Sequence, residues 1–219
     1  MSYVHTLKRI RTDKTNYRKR EAMLLGRQNF VTIKITNQNL IAQILKPEIL
    51  GDIVKVSTYS RELRRYGWKG SLNSLPACYL AGALLGKKAL EKGISKVVLY
   101  MGNKPFTSRI AACMKGIVQA GVNIPISSES FPPEYRLNGQ HIADYALQIK
   151  SEDIDKYNRN FSSIIREGLV PENYQIHVKE IAALILGGKP HNDHNRKNAN
   201  VQSSSDSLER VGEQYESIS

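Results

Sequence analysis

The sequence has little of what secreted, membrane-spanning or metal-binding proteins depend on. Cysteine occurs only as Cys78 and Cys113, which lie far apart in apolar, helix-like stretches. We therefore predict two small buried side chains rather than a disulfide or a pair of metal ligands, and a reducing compartment. The most apolar run, residues 77–86, is far shorter than the ~20 residues that a membrane span requires. These shortages predict a soluble, cytoplasmic protein with no membrane partner.

Acidic residues are scarce as well. The chain has 20 Asp and Glu against 32 Lys and Arg, and its formal net charge is +12. The excess lies at the start, because only Asp13 and Glu21 oppose the many cations of residues 1–36, whereas residues 187–219 are slightly acidic overall. A basic segment of this kind predicts a polyanionic partner.

Hydrophobic periodicity predicts an α/β fold with a mixed sheet: a three-stranded antiparallel meander followed by α-β-α-β, then C-terminal helices and a disordered tail. Asn16 or Thr15 caps the first helix, which ends near residue 26, and Ser74 caps the long apolar helix. In that helix Gly82 and Gly86 let a neighbouring backbone approach closely. The predicted strands are 30–36, 40–45, 53–59, 97–101 and one beginning at 123; the later helices are 77–90, 107–121, 142–149, 154–165 and 172–186.

An enzyme interpretation has to meet a requirement for carboxylates. Ribonuclease-H-type nucleases also begin β-β-β-α-β, and they hold two metal ions with acidic residues clustered on the strands. The first strand has none, the fourth has Tyr100 at such a position, and Glu134 and Asp144 lack partners of evident spacing. No glycine-rich phosphate loop or nucleophile elbow is present. We expect no catalysis, metal or cofactor, with a metal-dependent ribonuclease as the alternative.

Basic and planar side chains alternate at two places, around Tyr17 and over residues 59–69. Arg and Lys contact phosphates, while Tyr and Trp stack on unpaired bases at about 1–3 kcal/mol per base. This pattern predicts RNA binding. For Trp68, the only Trp, a buried position against the sheet edge is an equally open interpretation, and for Arg109 the alternative is a solvated side chain.

Residues 15–20 resemble the archaeal type of the universal 5S-rRNA-binding protein of the large ribosomal subunit, the L-eighteen family, which is called L-five in eukaryotes. The resemblance extends over residues 8 to about 147, with departures at Asn16 and Tyr100, where the family pattern has Asp, and in a short loop at 102–107. Further agreement lies at residues 43–44, 51–52, 67–69, 73, 78–82, 88–90, 93, 108–110, 115–116, 120–121, 124–125, 136 and 139–142.

The resemblance implies a structural ribosomal protein that binds 5S rRNA. It also implies an N-terminal arm entering rRNA and a place in the central protuberance, where the protein joins 5S to 23S rRNA beside another 5S-rRNA-binding protein. A general module for structured RNA, without a ribosomal role, is the second alternative.

The predicted segments are a basic RNA-binding arm (1–27), an α/β core domain (28–130), a helical extension (131–186) and a disordered polar tail (187–219). The predicted RNA-binding residues are Lys8, Arg9, Arg11, Lys14, Tyr17, Arg18, Lys19, Arg20 and Arg27 in the arm, and Tyr59, Arg61, Arg65, Trp68, Lys69, Asn73 and Arg109 beyond it.

Overall fold

The computed structural model describes residues 6–12, 14–102 and 104–187, and in these ranges one sheet has four strands. The strands are β1 Phe30–Ile35, β2 Leu40–Lys46, β3 Ile53–Tyr59 and β4 Val98–Leu99, in the spatial order β3-β2-β1-β4. β1, β2 and β3 form an antiparallel meander, and β4 pairs with β1 in parallel. The α/β fold with a mixed sheet is therefore confirmed. Except for Gly187, the predicted disordered tail lies outside the described residues.

The strand predicted to begin at Asn123 forms only a single parallel bridge with Lys96. The backbone explains why the pairing stops there: Asn123 exchanges hydrogen bonds with Ser95 and Val97, and Pro125, which has no N–H, follows two residues later. The predicted β-β-β-α-β-α-β order thus loses its final strand.

The helices begin where polar caps were predicted. The Asn16 side chain accepts a hydrogen bond from the Lys19 N–H, and Ser74 accepts one from the Ala77 N–H.

The α-helices are α1 Lys8–Arg11, α2 Tyr17–Gly26, α3 Leu75–Glu91, α4 Ser108–Gln119, α5 Glu134–Leu137, α6 Gln140–Glu152, α7 Ile154–Asn160, α8 Ser162–Arg166 and α9 Tyr174–Gly187; 3-10 helices span Ser60–Tyr66, Ser128–Ser130 and Pro171–Asn173. No helix in the described ranges is long and apolar enough to cross a membrane.

Glycines bring α3 and α4 into backbone contact. A methyl group on Gly82 would overlap the backbone of Cys113, and one on Gly116 would overlap the carbonyl of Tyr79. A methyl group on Gly86 would lie 2.6 Å from the Cβ atom of Ala120 and 3.0 Å from the carbonyl oxygen of Ile117. The predicted close approach at Gly82 and Gly86 is confirmed. Cys113 and Cys78 are free and fully buried between these helices, which confirms their prediction as small core residues.

The C-terminal helices extend the core instead of standing apart from it. Tyr174, Val178, Ile181 and Ile185 of α9 are buried in the same apolar cluster as α3 and the sheet. A smaller cluster holds α6 and α7 together, and Phe161, buried within it, interrupts the helix that was predicted to run from 154 to 165. One layer of the main core is therefore supplied by α9.

Candidate nucleic-acid interface

The N-terminal arm presents its cations to solvent because none of its residues is buried in α1 or α2. A hydrogen bond of 2.8 Å from Arg9 Nε to Thr15 Oγ1 links α1 to the segment that precedes α2. Tyr17 is 39% exposed at the start of α2. The exposed cations of the described arm are Lys8, Arg9, Arg11, Lys14, Arg18, Lys19 and Arg27. Their combined positive charge has few opposing carboxylates, which makes this surface attractive to a polyanion.

Arg20 differs from the other cations of the arm. Its guanidinium donates to Asp52 Oδ2 at 2.9 Å and to the Glu48 carbonyl at 3.1 Å, and its side chain is only 24% exposed. The hydrogen bond with Asp52 raises the pKa of Arg20 above its ordinary value. Arg20 therefore ties α2 to the loop between β2 and β3, and in this conformation it holds the arm in place more than it offers a free charge to phosphate.

Arg27 ends α2 in the left-handed backbone conformation, with φ of 47°. Helices commonly end this way, but the residue is usually Gly, because a Cβ atom makes the conformation less favourable. At this position an exposed Arg keeps a cation at the end of the arm.

The second candidate region, residues 59–73, begins with the 3-10 helix Ser60–Tyr66. Glu62 fixes this helix on the core: its carboxylate accepts from the Tyr59 N–H at 3.1 Å and forms an ion pair with Lys88 of α3. With three residues per turn, side chains three apart share a face, so Arg61 and Arg64 point the same way. Arg65, predicted as an RNA contact, is exposed but lies outside the cleft lined by these two residues.

This cleft has a volume of about 510 Å3 and lies where four segments meet. Its walls are the β1–β2 turn at residues 37–39, the Arg61 and Arg64 face, residues 69–72, and the end of α8 with Ser163, Ile164 and Glu167. Sequence reasoning missed the turn and the α8 wall. Arg64 belongs to the basic and planar pattern of residues 59–69 but was not among the predicted RNA-binding residues; the three-residue spacing of a 3-10 helix pairs it with Arg61.

Two amide side chains, Asn39 in the cleft and Asn73 beside its β1–β2 turn, carry acceptors without partners among the described residues. Asn39 is 8% exposed, and its Oδ1 atom is buried with no hydrogen-bond partner among the described residues. Asn73 donates from Nδ2 to the Asn37 carbonyl at 2.9 Å, while its own Oδ1 is buried and unpartnered within the same described ranges. Buried acceptors are rarely left unsatisfied, and such exceptions call for an explanation. Asn73 also joins the segment to the β1–β2 turn.

Trp68 does not face the cleft or the solvent. It is 2% exposed, donates from Nε1 to the Ser71 carbonyl at 3.3 Å, and stacks on His177 of α9 with 5.3 Å between ring centroids. Tyr174 packs edge-on against the other side of the ring system. The prediction that Trp68 stacks on an RNA base is wrong in this structure, because α9 covers the indole; the alternative of a buried Trp is correct.

His177 links α9 to the backbone of the same segment. Its Nε2 atom accepts a hydrogen bond of 3.2 Å from the Lys69 N–H, and the Lys69 ammonium donates to the Gly168 carbonyl at 3.3 Å. Burial lowers the pKa of His177, and the charge of Lys69 lowers it further, against an opposing effect of Glu180. A neutral imidazole is the form that can accept from Lys69.

Two further predicted contacts, Tyr59 and Arg109, do not line the cleft. Tyr59 is half-buried, and the Arg61 guanidinium lies over its ring at 5.8 Å from the centroid. Arg109 is exposed in the first turn of α4. In the described part of the chain, no three His, Cys, Asp or Glu side chains come together as a metal site would require.

The arm and the cleft lie at opposite ends of the sheet. The arm is tied to Asp52, which precedes β3, whereas the 3-10 helix begins directly after the last residue of β3, Tyr59. A strand of this length separates its ends by about 20 Å. The predicted residues therefore form two regions instead of one continuous patch.

The comparison with known families decides what kind of protein carries these two regions. A family model described as ribosomal large subunit proteins 60S L5 and 50S L18 matches residues 2–105. The matched segment belongs to this family. The resemblance inferred from the sequence is thereby confirmed, and the chain has the structural role of a large-subunit ribosomal protein.

The part that matches this ribosomal family contains the arm, the sheet, the 3-10 helix and α3. It also contains three of the four walls of the cleft. The fourth wall, from α8, and the residues of α9 that cover Trp68 lie beyond the matched range. In this ribosomal protein, helices outside the matched segment therefore complete the surroundings of residues 59–73.

The two departures from the family pattern have visible structural roles. Asn16 caps α2 through its side-chain oxygen, a role that Asp fills equally well. Tyr100 packs edge-on against Phe30, with 5.6 Å between ring centroids, and its N–H donates to the Val31 carbonyl. Neither departure replaces a basic residue of the arm.

Proposed function

We propose that this ribosomal protein binds 5S rRNA and helps attach it to 23S rRNA in the central protuberance of cytoplasmic ribosomes, beside another 5S-rRNA-binding protein. The observation that carries the proposal is the arm: its exposed cations stand on helices with no buried residue, within the segment that matches the family. A surface that contributes so little to the core is best explained by an external partner, and phosphates match its charge.

The arm supplies mainly affinity in this proposal. Each phosphate that a Lys or Arg neutralises releases counterions, so binding weakens as salt rises. Such contacts carry no sequence information. Selectivity for 5S rRNA then comes from residues 59–73, whose cations and amide groups can contact sugars and bases of an RNA of matching shape.

Deletion of residues 1–27 tests the role of the arm. Binding of the full chain and of the deletion variant to 5S rRNA is measured over a series of salt concentrations. Each lost phosphate contact should remove roughly 0.7–0.9 from the slope of log affinity against log salt. A variant lacking residues 188–219, whose charges nearly cancel, is the control and should keep the full slope. An unchanged slope after arm deletion would contradict the proposal.

Competition at fixed salt separates this function from general RNA binding. The full chain is bound to labelled 5S rRNA and challenged with unlabelled 5S rRNA or with unrelated structured RNAs of equal length. The proposed function requires that 5S rRNA compete more strongly. Equal competition by all RNAs would instead identify a general module for structured RNA.

A further inference from the structure

The cleft between the β1–β2 turn and α8 has the dimensions of a ligand site. Its volume of about 510 Å3 falls within the roughly 300–1,000 Å3 that is typical of pockets for small molecules. This is room for one nucleotide, whereas a double helix would have to lie across the mouth of the cleft. RNA recognition commonly uses single unpaired bases turned out of the helix.

The charges in the cleft suit one phosphate group. Arg61, Arg64 and Lys69 line it, and Glu167 is the acidic residue among its lining residues in the described part of the chain. Arg64 and Glu167 form an ion pair of 3.4 Å across the cleft, but their side chains are 58% and 43% exposed. An exposed pair of this kind is weak. A phosphate can therefore replace the carboxylate as the partner of Arg64, with the stronger geometry that guanidinium and phosphate adopt.

The polar groups of the turn suit the other end of a nucleotide. The Oδ1 atom of Asn39 is an unpartnered acceptor on a side chain that is more than nine-tenths buried at the cleft wall. Ile164 and Leu72 add apolar surface to the same cleft. A base placed there would have apolar contacts at its face and polar groups at its edge, which is how proteins hold unpaired bases.

We propose that this cleft binds a single unpaired nucleotide of rRNA, with its phosphate at Arg61 and Arg64 and its base toward the β1–β2 turn. The proposal rests on the function proposed above and adds a site to it. Since one wall comes from α8, the C-terminal helices take part in RNA recognition. Glu167 has a specific role here. Its carboxylate pairs with the Arg64 guanidinium in the free protein, and the phosphate of the nucleotide displaces it on binding.

Two substitutions with opposite expected effects test the site on the full chain with a 5S rRNA transcript. Arg64→Gln removes the phosphate ligand and should weaken binding by about tenfold. Glu167→Gln removes the competing carboxylate and should strengthen binding by about two- to fivefold. In the Arg64→Gln background, Glu167→Gln should give little further change, because its effect acts through Arg64.

Controls separate this result from general charge effects and from misfolding. Glu129→Gln makes the same charge change on an exposed residue outside the cleft, and it should alter binding much less than Glu167→Gln. Thermal unfolding midpoints of all variants should agree, since the Arg64–Glu167 pair is exposed. Weakened binding in both cleft variants would indicate a purely structural ion pair and would overturn the proposal.

A crosslinking measurement locates the nucleotide. Gln38, exposed in the turn at the cleft, is replaced by p-benzoylphenylalanine, and the crosslinked RNA positions are read by primer extension. Crosslinks should fall on one or a few unpaired nucleotides; crosslinks confined to paired regions would overturn the proposal.

The proposed site and the proposed function can fail separately. If 5S rRNA binds with an arm-dependent salt slope but neither cleft variant changes the affinity, the site is wrong and the function stands. If unrelated RNAs bind equally well and the two variants still show opposite effects on them, the cleft binds a nucleotide and the assignment to 5S rRNA is wrong.

Discussion

His177 is a residue through which α9 holds the segment 59–73. Its imidazole accepts from the Lys69 N–H and stacks on Trp68. Protonation would convert that acceptor into a donor and place a charge beside Lys69. Burial of the imidazole, together with the charge of Lys69, also favours the neutral form, so the pKa of His177 lies below its ordinary value of 6.5.

The stability of the protein should therefore fall as the pH drops below that ordinary value. As the pH falls below 6.5, the unfolded chain takes up a proton on His177 before the folded chain does. The free energy of unfolding therefore decreases until the pH falls below the pKa of His177 in the folded protein. Above 6.5 this contribution is fully present. Urea unfolding between about pH 7 and pH 5 measures the effect.

His177→Phe is the matched variant for this measurement. It keeps an aromatic ring against Trp68 but cannot titrate, so its stability should change less with pH than that of the unmodified chain over the same range. Carboxylates elsewhere contribute equally to both proteins and cancel in the comparison. Identical pH dependences would show that His177 titrates alike in the folded and unfolded states.

Single residues also show where prediction from the sequence stops. Exposure of the arm cations follows from local composition, because the few apolar residues of α2 do not form a separate apolar face that could pack on the core. The burial of Trp68 does not follow, since Tyr174 and His177, more than 100 positions away, cover it. Similarly, Arg64 joins Arg61 only because the segment forms a 3-10 helix, a choice that local sequence does not determine.

Among the elements, the contact between α3 and α4 depends most directly on residue size. Gly82 and Gly116 lie where any side chain would meet the backbone of the opposite helix. Because a backbone segment cannot change rotamer as a side chain can, a substitution at either glycine would force the two helices apart. This contact supports the helical layer against which the sheet packs.

Gly116→Ala should therefore lower the free energy of unfolding by about 2–3 kcal/mol, the usual cost of overpacking a tight core. The measurement is the midpoint of urea unfolding, with the slope checked for constancy. Gly26→Ala, at a position where an added methyl group meets nothing within 4 Å, is the control and should leave the midpoint unchanged or slightly higher. Equal midpoints for both variants would mean that the two helices adjust at little cost.

Secondary structure was predictable wherever caps and periodicity agreed. The meander, α3 and α4 follow from alternation, from the helical pattern and from Ser74 as a cap. The predicted strand at 123 failed because Pro125 removes a donor, and the long helix at 154–165 broke because Phe161 turns into the cluster with Tyr157. Pro125 could have indicated the first failure from the sequence, whereas the second depends on tertiary packing that a periodic pattern does not contain.

At the scale of the whole molecule, the sheet separates the two regions that we propose bind RNA. The arm is anchored at one end of β3 and the cleft lies at the other, about 20 Å away by the length of the strand. One RNA that reaches both regions gains from the second contact without paying the full entropic cost of a new association. An RNA fragment that reaches only one region should bind far more weakly.

Substitutions in the two regions should act independently. Arg18→Gln in the arm and Arg64→Gln in the cleft share no contact, and sites this far apart usually combine within about 0.5 kcal/mol. The double variant should therefore lose the product of the two single fold-changes in 5S rRNA affinity, measured by filter binding at one salt concentration. A substantially smaller combined loss would show that both residues serve the same part of the RNA.

The attachment of α2 to the core, through Arg20 with Asp52 and the Glu48 carbonyl, also bears on the time course of assembly. With no side chain buried, α2 can change its angle by giving up little more than those bonds, while its charges attract RNA from a distance. The first encounter then needs no particular orientation of the core, which raises the association rate. Docking of the rigid cleft would be the slower, selective step, and a protein that met the wrong RNA through its arm alone would dissociate before that step.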